Sequence, residues 1–447
     1  MLHNRLIFYV YQGISAAAGL AGWPYFYWHL RSRGRGESFL PRLGLRLPET
    51  PPPQGQPRLW LHGVSVGEVL AALPLARELR ALLPGAALTV TTGTETGQAV
   101  ARKNFAGLNA QVCYFPLDLP WAVQRYLDYL RPQVFVALES ELWPNFLIQA
   151  HHRGVRLALM NARVSDRSFR RFLKFRRYSI DIFNLFDTVA ASTPQDYGRL
   201  RKLGLAPPRL SLGGNLKCDR LLQDRDEEKV REFRDILQAP SREATVFLAA
   251  STHPGEEEVV LRVYERLKSA SPALLLLLAP RHPERAPELM HLLGRHGLGA
   301  QLFSLLKSGL ETRRQPVVVV DTIGDLFQLY GLADLAFVGG SLVPHGGQNL
   351  LEPAAWGLAP IYGPHLHNFR WAEAILMEAG AGVPVEDADS LAAAALDLLK
   401  HPEARRRLGE RAQAALVPHQ GAARRQARLI LKLLGQETGE PKVGFSP

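Results

Sequence analysis

The chain has 447 residues, 47% hydrophobic and 21% charged, which supplies two ordinary cores and excludes a disordered chain. Its two cysteines, Cys113 and Cys218, exclude a disulfide framework or a cysteine-based metal site and fit a reducing cytoplasm. The net charge of +11 predicts an anionic partner: residues 1–46 hold six arginines against Glu37, and residues 151–177 hold nine basic groups against Asp166. Neither cluster carries a nucleic-acid-reading motif and the first adjoins an apolar run, so a membrane surface bearing anionic lipid is predicted and nucleic acid is not.

From Leu6 to Leu30 there is no Asp, Glu, Lys or Arg, and Phe8, Tyr9, Tyr11, Trp23, Tyr25, Phe26, Tyr27 and Trp28 lie toward the two ends like interfacial belts. The run is long enough to span a bilayer core, while Gln12, a Gly/Ala-rich middle and Pro24 suit a helix lying in the interface. A cleaved signal peptide is the competing reading, and Arg31, Arg33 and Arg35 oppose it as a positive-inside flank. Residues 1–47 are expected to form a membrane-anchoring or interfacial basic segment, and Pro-rich residues 48–57 a tether.

Beyond residue 57, apolar runs alternate with helical patterns at Leu59–His62, Leu88–Thr92, Gln111–Phe115, Val134–Leu138, Leu157–Asn161, Thr188–Ala191 and Arg209–Leu212. The rhythm restarts at Val246–Ala249 and continues through Leu274–Leu278, Val317–Val320, Leu335–Val338, Pro360–Tyr362 and Val383–Val385. Such alternation predicts an α/β chain with two Rossmann-like, doubly wound domains facing a cleft, over residues 58–220 and 221–435, with a flexible tail at 436–447. Ligands then gather in loops at the carboxyl ends of strands.

Those loops carry the chemistry. The first runs from His62 through Ser65 to Glu68 into a helix over Val69–Leu82, and its Ser-x-x-Glu spacing is that of a capping box. A carboxylate at that strand mouth is also placed to deprotonate an incoming hydroxyl, and spacing does not separate the two roles. After Val134–Leu138 come Glu139 and Glu141, which point the same way if the strand geometry persists, and would then raise at least one pKa and suit acid/base work or a cationic transition state. In the second half, Pro280 and Arg281 put a fixed turn and a planar cation at a strand mouth, suited to a phosphate or a base edge. Ile323, Gly324 and Asp325 form a turn with exposed amides. The Gly-rich run from Gly339 leads to a helix starting near Asn349, followed by Leu350, Leu351 and Glu352, with its N-terminus favouring an anion and Glu352 placed for ribose hydroxyls. The histidines His345, His365 and His367 match no zinc signature, so no metal is predicted.

Together SVGEVLAALPLARELR, TTGTETG, ESELWPN, NARVSDRS, GNLKCD, ASTHPGEEE, PRHPER, GGSLVPHGGQNLLEPAAWG and GPHLHNF resemble the 3-deoxy-D-manno-octulosonic acid (Kdo) transferases of lipopolysaccharide biosynthesis over nearly the whole chain. The resemblance implies a GT-B fold with the acceptor, a lipid A precursor (lipid IVA), on the N-terminal domain and the donor CMP-Kdo on the C-terminal one. It implies an inverting, metal-independent enzyme without cofactor at the cytoplasmic face of the bacterial inner membrane. By matching position it makes Glu68 the general base, Glu139 and Lys217 transition-state stabilisers, and Pro280, Arg281, Ile323, Gly324, Asp325, Asn349, Leu350, Leu351 and Glu352 the CMP contacts. Leu350 and Cys218 depart from the family's frequent Pro and Phe. Another GT-B enzyme of envelope synthesis or a silent membrane-bound homologue are the alternatives.

Overall fold

The computed structural model describes residues 8–17, 19, 21–22, 38–53, 55–219, 221–238 and 245–436. It divides into two compact units, one running to Asp219 and resuming at Gly421, the other comprising Arg220–Gln420.

The first unit is built on β1 (Arg58–His62), β2 (Ala87–Thr92), β3 (Ala110–Tyr114), β4 (Val134–Leu138), β5 (Arg156–Ala162), β6 (Thr188–Ala191) and β7 (Leu210–Leu212), all parallel in the order β3-β2-β1-β4-β5-β6-β7. Side chains alternate across β1 and β4, so the sheet feeds two cores. Leu59, Leu61, Val134 and Val136 pack beneath the helix Val66–Leu82. Trp60, Phe135 and Ala137 pack on the opposite face with Tyr126 and Phe146, and the indole of Trp60 donates to Thr91 Oγ1 at 2.8 Å.

The second unit repeats the plan with β8 (Val246–Thr252), β9 (Leu275–Pro280), β10 (Ala300–Leu302), β11 (Val317–Val319), β12 (Leu335–Val338), β13 (Pro360–Tyr362) and β14 (Val383–Pro384), in the parallel order β10-β11-β9-β8-β12-β13-β14. Only β10 was not predicted: at three half-buried residues, Ala-Gln-Leu, on the sheet edge, it has neither length nor alternation. In each sheet the chain order reverses between two neighbours, β1 and β4 in the first and β8 and β12 in the second. Loops leaving such a pair diverge and open a crevice at the carboxyl ends.

Three expectations change. The second domain was expected to run to residue 435, but the helix Ala422–Leu433 packs on the helix Val66–Leu82 and buries Ala423, Ala427, Ile430 and Leu431 in the first unit's core. Residues 38–47 are not purely an anchor: Phe39 and Leu43 pack against Leu119 and Ala122. The tether is pinned as well, the Gln111 side chain donating to the Thr50 carbonyl at 2.6 Å. Residues 8–17 are helical, while Trp23, Pro24, the aromatics to Trp28 and the arginines at 31, 33 and 35 lie outside the described residues, as do residues 437–447 of the tail. Among the described residues no helix is long and apolar enough to cross a membrane.

Because Ile430 is fully buried in the first unit's core, Ile430→Ala is expected to destabilise that unit by about 2–5 kcal/mol. Urea denaturation followed by total tryptophan fluorescence measures it, and an unchanged midpoint contradicts the placement of the helix Ala422–Leu433.

Candidate active site

In the first unit the reversal point is occupied by carboxylates. The loop after β1 turns at Gly63 into the helix Val66–Leu82, and a Cβ on Gly63 would sit 3.0 Å from that of Glu68, so glycine lets the carboxylate fold back there. Glu68 Oε2 accepts the Val64 backbone N–H at 2.7 Å, Glu68 Oε1 accepts the Ser65 hydroxyl at 2.9 Å, and Ser65 Oγ in turn accepts the Glu68 N–H at 3.4 Å. Ser65 is therefore the helix cap read from the sequence, while the Glu68 carboxylate takes the Val64 amide in place of the Ser65 amide of a full capping box. This does not exhaust the carboxylate, since an ionised one has about four lone-pair sites and these two bonds use two. Burial, then the charge of Glu139, raises the Glu68 pKa, against the Val64 amide, Ser65 and Lys217.

Strand geometry does not persist beyond β4, contrary to expectation: Glu139 takes φ +59°, a left-handed conformation costing a non-glycine residue on the order of 1–3 kcal/mol. Its N–H donates to Met160 O at 3.0 Å and its carbonyl accepts from the Arg163 N–H at 3.2 Å, so the strain is held by β5 and the loop beyond it. The Glu139 carboxylate meets Lys217 Nζ at 2.5 Å and Arg163 Nη1 at 3.6 Å, with all three side chains largely buried. Lys217 also lies beside the start of the Glu68 helix, its Nζ 3.9 Å from where a Cβ on Gly67 would be. Glu141 still joins the group: burial, then the charge of Glu68, pushes its pKa up to about 7. His62 is a core residue, stacked on Phe115 and held down to about 3 by burial, so it stays neutral.

The second unit uses its reversal point differently. Glu256, fully buried at the start of the helix Glu256–Ala270, accepts four backbone amides: His253 at 3.0 Å and Gly340 at 2.7 Å on Oε2, Ser341 at 3.1 Å and Leu342 at 3.0 Å on Oε1. It joins the loop after β8 to the Gly-rich loop after β12. Gly339 is required there, because a Cβ would come within 2.6 Å of the Ser251 carbonyl. Above this joint the His253 ring stacks on His345 with centroids 4.2 Å apart and meets His282 edge-on at 6.2 Å. Burial, then the neighbouring His345, holds the His253 pKa down to about 4. The rings do not form a metal site, and among the described residues no three His, Cys, Asp or Glu side chains are placed to hold a metal ion.

The other expected donor contacts fall on loops of this unit. Pro280 ends β9, and the exposed Arg281 has its backbone N–H on Thr252 O at 2.9 Å. In the turn at 323–325, Ile323 is 89% exposed and Gly324 has φ +93°, but the Asp325 carboxylate is buried between Lys307 at 2.7 Å and Lys229 at 3.2 Å. The helix expected near Asn349 is only Leu351–Ala355, with Asn349 Oδ1 accepting the Leu351 N–H at 3.2 Å. Leu350 and Leu351 are fully buried, and burial pushes Glu352 up to about 7 against Asn349 and Arg281. Sequence reasoning missed Glu256 as a staple, since its helix start reads as one of three consecutive glutamates, and missed Arg163 as a partner of Glu139.

Two doubly wound parallel sheets, each with polar side chains at its reversal point, define the GT-B fold class. The same fold is found in UDP-GlcNAc 2-epimerase from Neisseria meningitidis (TM-score 0.56, 13% identity, 85% of this chain and 100% of that one) and in a glycosyltransferase from Rickettsia africae ESF-5 (TM-score 0.55, 12% identity, 86% and 100%). Residues 37–220 match the family model described as 3-deoxy-D-manno-octulosonic-acid transferase (kdotransferase). The chain is 36% identical over 381 residues to 3-deoxy-D-manno-octulosonic acid transferase of Haemophilus influenzae, covering 85% of this chain and 87% of that one. It is 34% identical over 413 residues to the Bordetella pertussis enzyme of the same name, covering 91% and 94%. The chain belongs to the Kdo transferase family.

Replacing Glu256 with Gln turns an acceptor oxygen into an amide nitrogen facing buried N–H groups. Glu256→Gln is expected to destabilise the second unit by at least about 1–3 kcal/mol for each amide left unmatched. Thermal unfolding by calorimetry tests this, and an unshifted transition contradicts the staple.

Proposed function

We propose that this protein transfers Kdo from CMP-Kdo to a glucosamine hydroxyl of a lipid A precursor, lipid IVA, with inversion at the anomeric carbon and without a metal, at the cytoplasmic face of the inner membrane. The observation that carries the reading is the convergence of Glu68, Glu139, Glu141 and Lys217 at the first unit's reversal point, in a family whose members are Kdo transferases. Glu68 takes the acceptor hydroxyl proton on a free lone pair while that oxygen bonds to the anomeric carbon. The bond from that carbon to the CMP phosphate breaks with its electron pair leaving on the phosphate oxygen. A base with a raised pKa is well matched to that proton. Lys217 and Glu139 stabilise the charge that develops, a preorganised electrostatic role. On the second unit Arg281, the turn 323–325 through its backbone, and the segment Asn349–Glu352 hold the CMP, while Asp325 is a structural anchor of that turn. The cations take the role a metal has elsewhere.

Membrane association is supported by what the helical residues 8–17 expose: Tyr9, Val10 and Ile14 face outward, whereas Tyr11 donates to Asp118 at 2.9 Å and Ser15 accepts from Asn145 at 3.0 Å. A helix that turns its polar groups to the protein and apolar ones outward is suited to an interface. Leu173, Phe175 and Tyr178 are likewise exposed, among the basic groups of the helices Asp166–Lys174 and Arg176–Phe183.

The experiment is transfer from CMP-Kdo, generated in situ because the donor is labile, to tetraacylated lipid A precursor with EDTA present, read by mass spectrometry. A product heavier by one or more Kdo units is expected; none from folded protein defeats the reading. Glu68→Ala is expected to lower kcat at least about a hundredfold, at the lower end of what a general base contributes, with the fold intact. Since the base must be ionised and its pKa is raised above 4.5, the rate falls as pH drops through that raised pKa, above the ordinary carboxylate range. Glu139→Gln removes a negative neighbour, so its residual rate should carry the acid limb to lower pH; a limb that moves up contradicts the electrostatic assignment.

A further inference from the structure

We propose that Gln426 is a positioning residue for transfer, its amide setting where Lys217 meets Glu139. This rests on the reading of that ion pair as transition-state machinery. Gln426 is fully buried in the helix Ala422–Leu433, more than two hundred residues beyond Lys217 in the chain yet in the same unit. Its Oε1 accepts the Asn161 backbone N–H at 2.8 Å, and its Nε2 donates to the Gly214 carbonyl at 2.8 Å.

Those two backbone groups begin the two loops that hold the pair. Asn161 has φ +51°, and the pairing of β5 with β6 shifts register between Leu159 and Ala162, so its N–H is directed to Gln426. Two residues on, Arg163 binds Glu139 through both backbone and side chain. The Asn161 side chain accepts the Leu216 N–H at 3.0 Å, next to Lys217. From Gly214 the turn closes when Asn215 Oδ1 accepts the Lys217 N–H at 2.9 Å. A further clip joins the same partners, Asp219 accepting the Ala422 N–H at 2.6 Å. Gln426 is thus the side chain that ties both loops to each other, while Asn161, Asn215 and Asp219 secure each locally.

The role demands an amide. Only a group with a donor and an acceptor at one end satisfies a buried N–H and a buried C=O together. A Cβ on Gly213 would lie 3.0 Å from Gln426 Cγ and Nε2, so the glycine lets the amide pack directly on that loop. An ionised glutamate keeps the bond to Asn161 and sets an oxygen against the Gly214 carbonyl, relieved only by taking up a proton; methionine loses both bonds at similar volume.

The test is a double-mutant cycle in the full-length protein, assayed for Kdo transfer under single-turnover conditions at a temperature where circular dichroism shows every variant folded. Gln426→Glu and Gln426→Met are each expected to lower the transfer rate about tenfold to a hundredfold, as displaced catalytic groups do, with the donor KM within a factor of two. In a Lys217→Ala background the same substitutions should add less than about a twofold loss, because the group they displace is gone. Equal losses in both backgrounds, or a wild-type rate in the folded single variants, overturns the proposal. Should one substitution unfold the protein, the cycle is run with the other. A wild-type rate for Lys217→Ala alone overturns instead the reading of the ion pair, and with it this inference.

Discussion

Lys217 and Glu139, 2.5 Å apart, are the contact that lets three carboxylates share the edge of one sheet. Glu139 raises Glu68, and Glu68 raises Glu141, on top of the burial that penalises each charge. Left alone, such a group relieves itself by taking up protons, and Glu68 would be the acid rather than the base. The ammonium offsets the Glu139 charge directly and, at longer range, opposes the rise that burial and Glu139 impose on Glu68. Several features of the first unit serve that contact: the left-handed turn at Glu139, the bulge at Asn161, and the return of the helix Ala422–Leu433 to the loop beyond β7.

The two reversal points show one residue type in two employments. Glu256 has each oxygen bound to two backbone amides, leaving no lone pair for a substrate, and acts as a staple between loops. Glu68 has one bond per oxygen and keeps capacity. Position at a strand mouth therefore does not by itself define a reactive carboxylate. The count of unused lone pairs does.

Legibility in the sequence follows how local the cause is. Strands buried on both faces, such as Val134–Leu138, announce themselves as apolar runs, and the Ser65–Glu68 cap is fixed by a spacing of three. Glu139 and Glu141 were visible as a pair, but the reason they meet Glu68 was not, because it is the parallel pairing of β1 with β4. Lys217 and Arg163 were visible as cations, not as partners of Glu139, since contacts between loops of different strands leave no periodicity. The turn at 323–325 reads as one with exposed amides, and nothing in it announces that the Asp325 carboxylate is buried by Lys229 and Lys307 from elements some distance along the chain. The assignment of the last helix failed for the same reason: its apolar stripe is plain in the sequence, and which unit it covers is not.

Glu68 reconciles the two roles that its sequence context left open. A free glutamate at a helix start samples several rotamers, and a base that must first be ordered loses part of its advantage to that entropy. The Val64 amide and the Ser65 hydroxyl hold the carboxylate in one position before any acceptor arrives. Those same bonds favour the ionised form, opposing burial and Glu139, which favour the protonated one. The balance leaves a raised pKa on a rigid group. Removing the cap would not liberate the base: it would give a more mobile carboxylate, more readily protonated, at the same address. In the proposed mechanism, then, the bonds that hold the Glu68 carboxylate at the helix start also prepare the proton acceptor.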